Sequence, residues 1–300
     1  MSGDVAILYF SGTGGTAIVA RLLAEAISER LPCAVAEVYD PRSRALAGNA
    51  RFLVFCYPTY YLRPAPSMRE FIASLPRFEP PRSAFVVTTY ELYSENSLRA
   101  CALMLKDRGI MVVGWGSVRA PGSDVTLVLP ERLCPWLYLF EKGLGRKLAS
   151  LAEKIGAAAS EPAPASASAL AGRIPAPKWY TPFAQLLQIA LLNHFDLFRS
   201  RLRALGERCD GCGACAAACD RKAWRMEDGH PVLESDRCEL CGRCLHRCPR
   251  RAIVLIAALK DNRRLDGRLY AALEVRAREE VALARGRGGD DSGRAAGDER

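Results

Sequence analysis

The stretch Val5-Ala-Ile-Leu-Tyr-Phe-Ser-Gly-Thr-Gly-Gly-Thr16 joins an apolar run to a glycine-rich turn, and a helical pattern follows it. Its first half is continuous in apolar residues, which is typical of a parallel strand covered on both faces. A glycine-rich turn at the start of a helix presents free backbone N–H groups and the positive end of the helix dipole. The stretch therefore predicts a strand, a tight turn and a helix, with an anion-binding site at the turn.

The same alternation of apolar runs and helical patterns continues to residue 158. Strands are predicted over 5–10, 33–38, 52–57, 84–89 and 111–118. Helices are predicted near 16–30, 67–74 and 94–108, and a last helix from about 136 to 155. Strands and helices that alternate in this way predict a doubly wound α/β domain.

The composition indicates a globular protein in which cysteine is unevenly distributed. Half of the 300 residues are hydrophobic, which argues against wholesale disorder. Of the 12 cysteines, eight lie between residues 209 and 248, and a disulfide scaffold of this length would not crowd them so tightly. No signal peptide precedes the first predicted strand, so we expect a cytoplasmic protein with reduced thiols that are available to metals. The other four, Cys33, Cys56, Cys101 and Cys134, are predicted to be buried as small hydrophobic residues.

Two segments of the chain repeat the same cysteine spacing. They are Cys209-x2-Cys212-x2-Cys215-x3-Cys219 and Cys238-x2-Cys241-x2-Cys244-x3-Cys248. A cubane cluster needs thiolates from different directions, so three close cysteines wrap one corner and a distant one closes it. Zinc sites are built from isolated Cys-x2-Cys pairs instead, without a third and fourth cysteine at fixed spacing. The repeat therefore favours two [4Fe–4S] clusters, with zinc as the weaker alternative.

This stretch resembles the bacterial dicluster ferredoxins. The resemblance implies that one cluster is held by Cys209, Cys212, Cys215 and Cys248. The other cluster would be held by Cys219, Cys238, Cys241 and Cys244. One departure is Asp220, which stands where the family usually has proline after the fourth cysteine. Its carboxylate either disfavours the reduced cluster or is a solvated surface group with little effect.

Two kinds of phosphate site compete for the glycine-rich turn. The pattern Gly12-x-Gly14-x-x-Ala17 matches dinucleotide-binding proteins, and Glu37 lies near the place of the ribose-binding acid. The second kind binds a terminal phosphate monoester, which is nearly a dianion and is well served by additional hydroxyl donors.

Three hydroxyls in the turn favour the second kind of site. Ser11, Thr13 and Thr16 give an arrangement that resembles the FMN phosphate loop of flavodoxins. In the strand order 2-1-3-4-5 of that family, the ligand lies beyond the carboxyl ends of strands 1, 3 and 4. Aromatic and threonine side chains in the loops after strands 3 and 4 can flank a flat isoalloxazine ring and reach its polar edge. The predicted FMN-binding residues are Ser11, Gly12, Thr13, Gly14, Gly15, Thr16, Pro58, Thr59, Tyr60, Tyr61, Thr88, Thr89 and Tyr90.

The remaining segments connect or follow these units. Residues 159–182 are rich in Ala, Pro and Ser and are predicted to be a linker. Residues 183–205 predict a connecting helix, with an interfacial membrane helix as the alternative, since the segment is too short and too polar to be a span. Residues 206–256 form the predicted ferredoxin domain. Residues 257–300 predict a helix from about 266 to 285, followed by a disordered tail from residue 286.

Taken together, the chain resembles the fused flavodoxin–ferredoxin proteins, often labelled ferrodoxins. The expected fold is a flavodoxin-like, doubly wound, parallel five-stranded sheet over residues 1–158, plus a small α+β dicluster domain. The resemblance implies an electron-transfer protein with FMN, two [4Fe–4S] clusters and redox partner proteins. Alternatives are an FMN-dependent oxidoreductase that acts on a small molecule with the clusters as electron input, and a regulatory module that senses through its clusters.

The net charge does not predict a nucleic-acid partner. It is formally +9, and two oxidised clusters of about −2 each lower it to about +5.

Overall fold

The computed structural model describes residues 4–91, 94–123, 130–133, 135–161, 174–176, 179–183, 186, 198–265 and 267–288. The strands are β1 Val5–Tyr9, β2 Cys33–Glu37, β3 Phe52–Tyr60, β4 Arg63–Pro64, β5 Arg82–Tyr90, β6 Ile110–Arg119, β7 Arg203–Ala204, β8 Trp224–Glu227, β9 His230–Leu233 and β10 Ile253–Val254. The α-helices are α1 Gly15–Ser28, α2 Ser43–Asn49, α3 Pro66–Ser74, α4 Glu95–Asp107, α5 Leu144–Ser160, α6 Ala214–Ala217, α7 Arg243–Arg247 and α8 Gly267–Gly288.

The first domain is built on a parallel sheet with the strand order β2-β1-β3-β5-β6. The short strand β4 pairs antiparallel with the end of β3 and forms a hairpin. The strand order reverses between β1 and β3, and ligands of open α/β sheets bind in the crevice beyond the strands at such a point. The predicted five-stranded, doubly wound sheet is therefore confirmed.

Both faces of this sheet are covered because successive residues of each strand point to opposite sides. Val5 and Ile7 of β1 belong to the buried cluster that includes α1 and α5. Ala6 and Leu8 belong to the cluster on the other face, which includes α3 and α4. Burial of one large aliphatic side chain contributes about 1.5–3 kcal/mol, so the two faces together supply the main stabilisation of the domain.

Several predicted boundaries were wrong. Residues 58–60 lie within β3, although they were predicted as a loop after the strand. The strand β5 extends from Arg82 to Tyr90, slightly beyond the predicted range 84–89 at both ends. The last helix of the domain begins at Leu144, because residues 135–138 form a separate 3-10 turn and Gly143 adopts a left-handed conformation with φ of 71°. That helix continues through Ser160, into the predicted linker, since alanine is the best helix former.

The second domain shows the sequence repeat as a repeat of backbone geometry. The helices α6 and α7 begin at equivalent positions of the two runs, each after a glycine with positive φ. Lys222 and Arg251, which also occupy equivalent positions, have φ of 53° and 51°. The domain also contains two short antiparallel strand pairs, β7 with β10 and β8 with β9.

The predicted connecting helix over 183–205 lies mostly outside the described residues. The structure gives helical backbone at 181–183, 186 and 198–201, and then β7 from Arg203, so the helix does not extend to residue 205. None of the helices in the described ranges is long and apolar enough to cross a membrane.

The C-terminal helix α8 returns to the first domain after the second domain is complete. Ala277 and Val281 are buried in the cluster that contains α1 and α5. The Gly145 N–H donates to Glu280 Oε2 at 2.9 Å, and Arg278 pairs with Glu25 at 2.8 Å. The helix extends through Gly288, beyond the predicted start of the disordered tail, and residues 289–300 lie outside the described residues.

Candidate functional site

The eight clustered cysteines surround two cavities in the second domain. The first cavity is lined by the set that we call the inner cysteines, Cys219, Cys238, Cys241 and Cys244. The second is lined by the outer cysteines, Cys209, Cys212, Cys215 and Cys248. Each cavity receives three cysteines from one run and the fourth from the other run, which is the arrangement that two crossed clusters need.

These cavities fit iron–sulfur clusters. Backbone N–H groups of Ala223 and Ala252 donate to the sulfurs of Cys219 and Cys248 at 3.3 and 3.2 Å. Such donors stabilise negative charge on cluster sulfurs and tune their potential. Within the described residues, no three His, Cys, Asp or Glu side chains come close enough together to hold a single ion. The four thiols of each set line one cavity, and the individual ligand roles stay a prediction.

The inner cysteines lie directly against the glycine-rich turn of the first domain. Phe10, at the end of the first strand, lines the inner cavity. A Cβ atom on Gly12 would lie 2.6 Å from the backbone oxygen of Cys241 and would also overlap the hydroxyl of Tyr60. Glycine is required at position 12 because the backbone of the second domain approaches it closely.

Arg243 connects the two domains at this point. Its Nε donates to the backbone oxygen of Gly12 at 3.0 Å, and its Nη2 donates to the backbone oxygen of Ser11 at 2.6 Å. Its guanidinium also pairs with Glu37 at 2.7 Å and with Asp220. Only 8% of the Arg243 side chain is exposed, so these bonds are shielded from water. Asp220, left open between a cluster-tuning and a surface role, is a partner in this buried network.

A second buried contact lies beside the first. Glu239, which is 5% exposed, accepts hydrogen bonds from the backbone N–H and the hydroxyl of Ser67 at 3.0 and 2.7 Å. Ser67 lies in the first turn of α3, where backbone N–H groups lack partners within the helix. Burial raises the pKa of Glu239. At the rim, Arg221 pairs with Glu70 at 2.8 Å.

The predicted phosphate loop has the geometry of an anion site at its turn. Gly14 adopts a φ of 120° before α1, and its N–H donates to Ser11 Oγ at 3.2 Å. No side chain in the described residues caps α1, and its first turn contains no acidic residue. Thr16 Oγ1 lies 2.7 Å from Thr89 Oγ1, which ties the loop to β5. These residues fit the phosphate of FMN.

Some of the residues predicted to contact the flavin ring lie near the glycine-rich turn. Thr59 and Thr88 hydrogen-bond to each other at 2.8 Å, and Thr88 is fully buried. The hydroxyl of Tyr60 lies at Gly12, and Tyr61 occupies a left-handed turn with φ of 50° between β3 and β4. Pro58 and Tyr90 lie within strands, while Gly15 begins α1. The ring contacts stay a prediction.

Two features of this region gave no signal in the sequence. Tyr270 of α8 contacts Gly14, and its hydroxyl lies 3.1 Å from Thr13 Oγ1. Burial raises the pKa of Tyr270 to about 12, so its hydroxyl remains protonated at neutral pH. His246, which lies between two of the clustered cysteines, is 4% exposed, and its Nδ1 accepts the N–H of Leu265 at 2.9 Å.

Two of the three scattered cysteines that the structure describes are core residues. Cys56 and Cys101 are fully buried, which confirms the prediction for both, and burial raises the pKa of Cys101 to about 12. Cys33 is half-buried, and Cys134 lies outside the described residues.

Comparison with known proteins agrees with this division. Residues 208–252 match the family model described as a 4Fe-4S dicluster domain. No curated protein matches the chain.

Three solved structures similar to the chain are flavodoxin-like. The two-electron reduced flavodoxin of Megasphaera elsdenii is 21% identical and covers 38% of this chain and 84% of its own, with a TM-score of 0.34. A flavodoxin from the domain Archaea is 19% identical over 50% of this chain and 97% of its own, with a TM-score of 0.34. A flavodoxin, WrbA-like protein from Agrobacterium tumefaciens is 16% identical over 53% and 96%, with a TM-score of 0.38. These scores are low, so the fold assignment rests on the strand order.

The chain is thus a fusion of a flavodoxin-like α/β domain and a 4Fe–4S dicluster domain.

Proposed function

We propose that the chain is an electron-transfer protein that passes electrons between FMN, two [4Fe–4S] clusters and an external redox partner protein. The observation that best supports this proposal is the close approach of one of the inner cysteines to the glycine-rich turn. The backbone of Cys241 contacts Gly12. FMN exchanges one or two electrons and each cluster exchanges one, so a flavin next to clusters can split or combine electron pairs.

The geometry supports different roles for the two proposed clusters. The inner cysteines, next to the turn, would hold the cluster that exchanges electrons with FMN. Among the described residues, the outer cavity is lined by residues of the second domain alone, and Cys212 is exposed. The outer cluster would therefore exchange electrons with the partner protein.

The chain's own residues would hold and orient the flavin phosphate. The N–H groups of the turn and the hydroxyls of Ser11, Thr13 and Thr16 supply donors to it. Arg243 holds this loop in place by donating hydrogen bonds to two of its carbonyl oxygens, so it does not compete with the ligand for the N–H donors of the loop.

Anaerobic purification with flavin, iron and sulfide analysis tests the proposal. We expect about one FMN and about eight irons per chain. A protein that takes up no FMN on gentle reconstitution would contradict the flavin role. Four or fewer irons after reconstitution would contradict the dicluster role.

A second candidate function is an FMN-dependent oxidoreductase that turns over a small molecule with the clusters as electron input. One observation favours it, a cavity of about 1110 Å³ beside the glycine-rich turn. Steady turnover of a small-molecule donor without any protein partner would select this function over the first.

A further inference from the structure

A large cavity lies between the glycine-rich turn, the second domain and the start of α8. Its volume of about 1110 Å³ exceeds the usual range of small-molecule pockets, about 300–1000 Å³. The residues of the dinucleotide pattern, Gly12, Gly14, Ala17 and Glu37, all line it. Within the described residues, the predicted ring contacts of β3 and β5 do not.

The charge of this cavity is strongly positive. Its walls contain six arginines, Arg21, Arg243, Arg247, Arg251, Arg264 and Arg268, and two acids, Glu37 and Glu274. Both acids are already paired, Glu37 with Arg243 at 2.7 Å and Glu274 with Arg21 at 2.9 Å.

Three of the remaining arginines come from the second domain and the segment that follows it. Arg247 and Arg251 are exposed. Asp261, the acid near Arg251, already pairs with Arg208 at 2.9 Å.

Arg264 is only 6% exposed; its Nη2 donates to the backbone oxygen of Lys260 at 3.0 Å. The Nε of Arg264 is buried without a hydrogen-bond partner among the described residues. A buried cationic donor without an acceptor costs free energy, and a bound anion would offset that cost.

We infer that this cavity binds a second ligand in addition to the flavin, an organic phosphate of nucleotide size. Guanidinium groups bind phosphate oxygens in a bidentate geometry, and Arg247, Arg251 and Arg264 supply that contact. The inference goes beyond the proposed electron-transfer function. Ser11, Thr13 and two glycines of the turn, which are proposed to hold the flavin phosphate, form one wall of the cavity, whereas these three arginines lie outside the turn. Such a site would give a small phosphate-bearing molecule access to the redox centres.

The test is calorimetric titration of ADP into the full-length protein loaded with FMN and clusters. The informative variant is Arg251→Gln with Arg264→Gln, and its matched control is Arg250→Gln with Arg263→Gln. The control removes the same charge at the neighbouring positions, whose side chains do not line the cavity. Iron content and circular dichroism establish that each variant is folded. The single variant Arg251→Gln, at an exposed position, keeps the test available if Arg264→Gln does not fold.

We expect about one ADP per chain, with affinity about tenfold or more weaker in the cavity variant and unchanged in the control. Inorganic pyrophosphate should compete with ADP, and adenosine should not. The inference is overturned by an absence of ADP and pyrophosphate binding, or by equal binding to both double variants. It is also overturned if ADP binds only to FMN-free protein, because the cavity then serves the flavin phosphate alone.

One more outcome would reassign the arginines. A shifted potential of the outer cluster with unchanged ADP binding would show that they serve the cluster through Cys248, which also lines the cavity. The inference would then fail. A protein that takes up no FMN but binds ADP through these arginines would contradict the proposed function alone.

Discussion

The two cysteine runs have the same spacing but different surroundings. Alignment of Cys209 with Cys238 places Arg243 opposite Ala214 and Glu239 opposite Asp210. Arg243 and Glu239 bind the first domain, whereas Asp210 accepts the N–H of Cys212 at 3.3 Å and lies 3.7 Å from Arg250, both within its own domain. The two runs therefore differ at two positions that matter for the interface. Arg243 and Glu239 bind the second run to the first domain, whereas no hydrogen bond or ion pair within the described residues joins the equivalent residues of the first run to that domain.

The third difference completes the buried network. The first run has Asp220 where the second has Pro249, and Asp220 pairs with Arg243. The first run therefore supplies a carboxylate to the docking residue of the second. The two repeats are different parts of one interface.

The largest effects are expected when one cysteine is removed from either the inner or the outer set. Cys241→Ala and Cys212→Ala should each lose about four irons, because each removes one of four ligands of a cluster. The inner variant should also lose electron exchange between flavin and clusters, which rapid-mixing absorption spectroscopy measures. The outer variant should keep that exchange and lose reduction by a partner protein. Equal loss of exchange in both variants would contradict the inner and outer roles.

Removal of the docking arginine should have the next largest effect. Arg243→Gln leaves Glu37 and Asp220 without their cation. Both carboxylates are 30% exposed, so the cost should be smaller than the ~3–5 kcal/mol that is typical of a fully buried pair. Denaturant unfolding of the loaded protein measures the change in the free energy of unfolding.

The control for Arg243 is another arginine with two carboxylate neighbours. Arg225 pairs with Glu227 and Glu234, but its side chain is 59% exposed. Arg225→Gln should therefore cost less than about 1 kcal/mol. Similar costs for the two variants would show that the interdomain network is not a major source of stability.

Gly12→Ala should disturb the contact between the glycine-rich turn and the Cys241 backbone without changing a charge. The added methyl group would overlap Tyr60 and the Cys241 backbone, at a cost of about 1–3 kcal/mol. Gly48→Ala is the control, because a Cβ at this position in α2 meets nothing within 4 Å. It should stabilise the protein by about 0.4–1 kcal/mol, so the two variants should shift thermal unfolding in opposite directions. A neutral Gly12→Ala would contradict the close approach.

The smallest effect is expected at the contact between Glu239 and α3. Ser67→Ala removes one of the two hydrogen bonds to the buried carboxylate and should cost about 1 kcal/mol. Ser74→Ala, at the other end of the same helix, removes a bond to Phe71 near the surface and should stay within about 0.5 kcal/mol. A comparison of denaturation midpoints decides whether the two serines differ.

Local patterns predicted the elements of the fold with few errors. The five apolar runs became the five parallel strands, because continuous apolar residues are compatible only with a sheet that is covered on both faces. The short helix α2 was not predicted. The other errors lie at the ends of elements. The pattern gave no sign that β3 extends through residue 60, because strand ends depend on pairing with neighbours.

The cysteine runs and the glycine-rich turn were each predicted from the sequence, but the contact between them was not. The sequence did contain a signal for the docking residue, since Arg243 breaks the symmetry between the two runs. It contained no comparable signal for Tyr270, which reaches Thr13 from a position 257 residues away.

The sequence by itself determined what depends on short-range chemistry. The spacing of the cysteines, the glycine-rich turn and the period of the apolar residues each act over a few residues, so they can be read without knowledge of the fold. Only the tertiary structure decided which cysteine run faces the glycine-rich turn. It also decided that α8 packs against the first domain and which residues form the arginine-lined cavity. These features depend on contacts between residues that are far apart in the chain, and such contacts form only when the domains pack and bury their charges together.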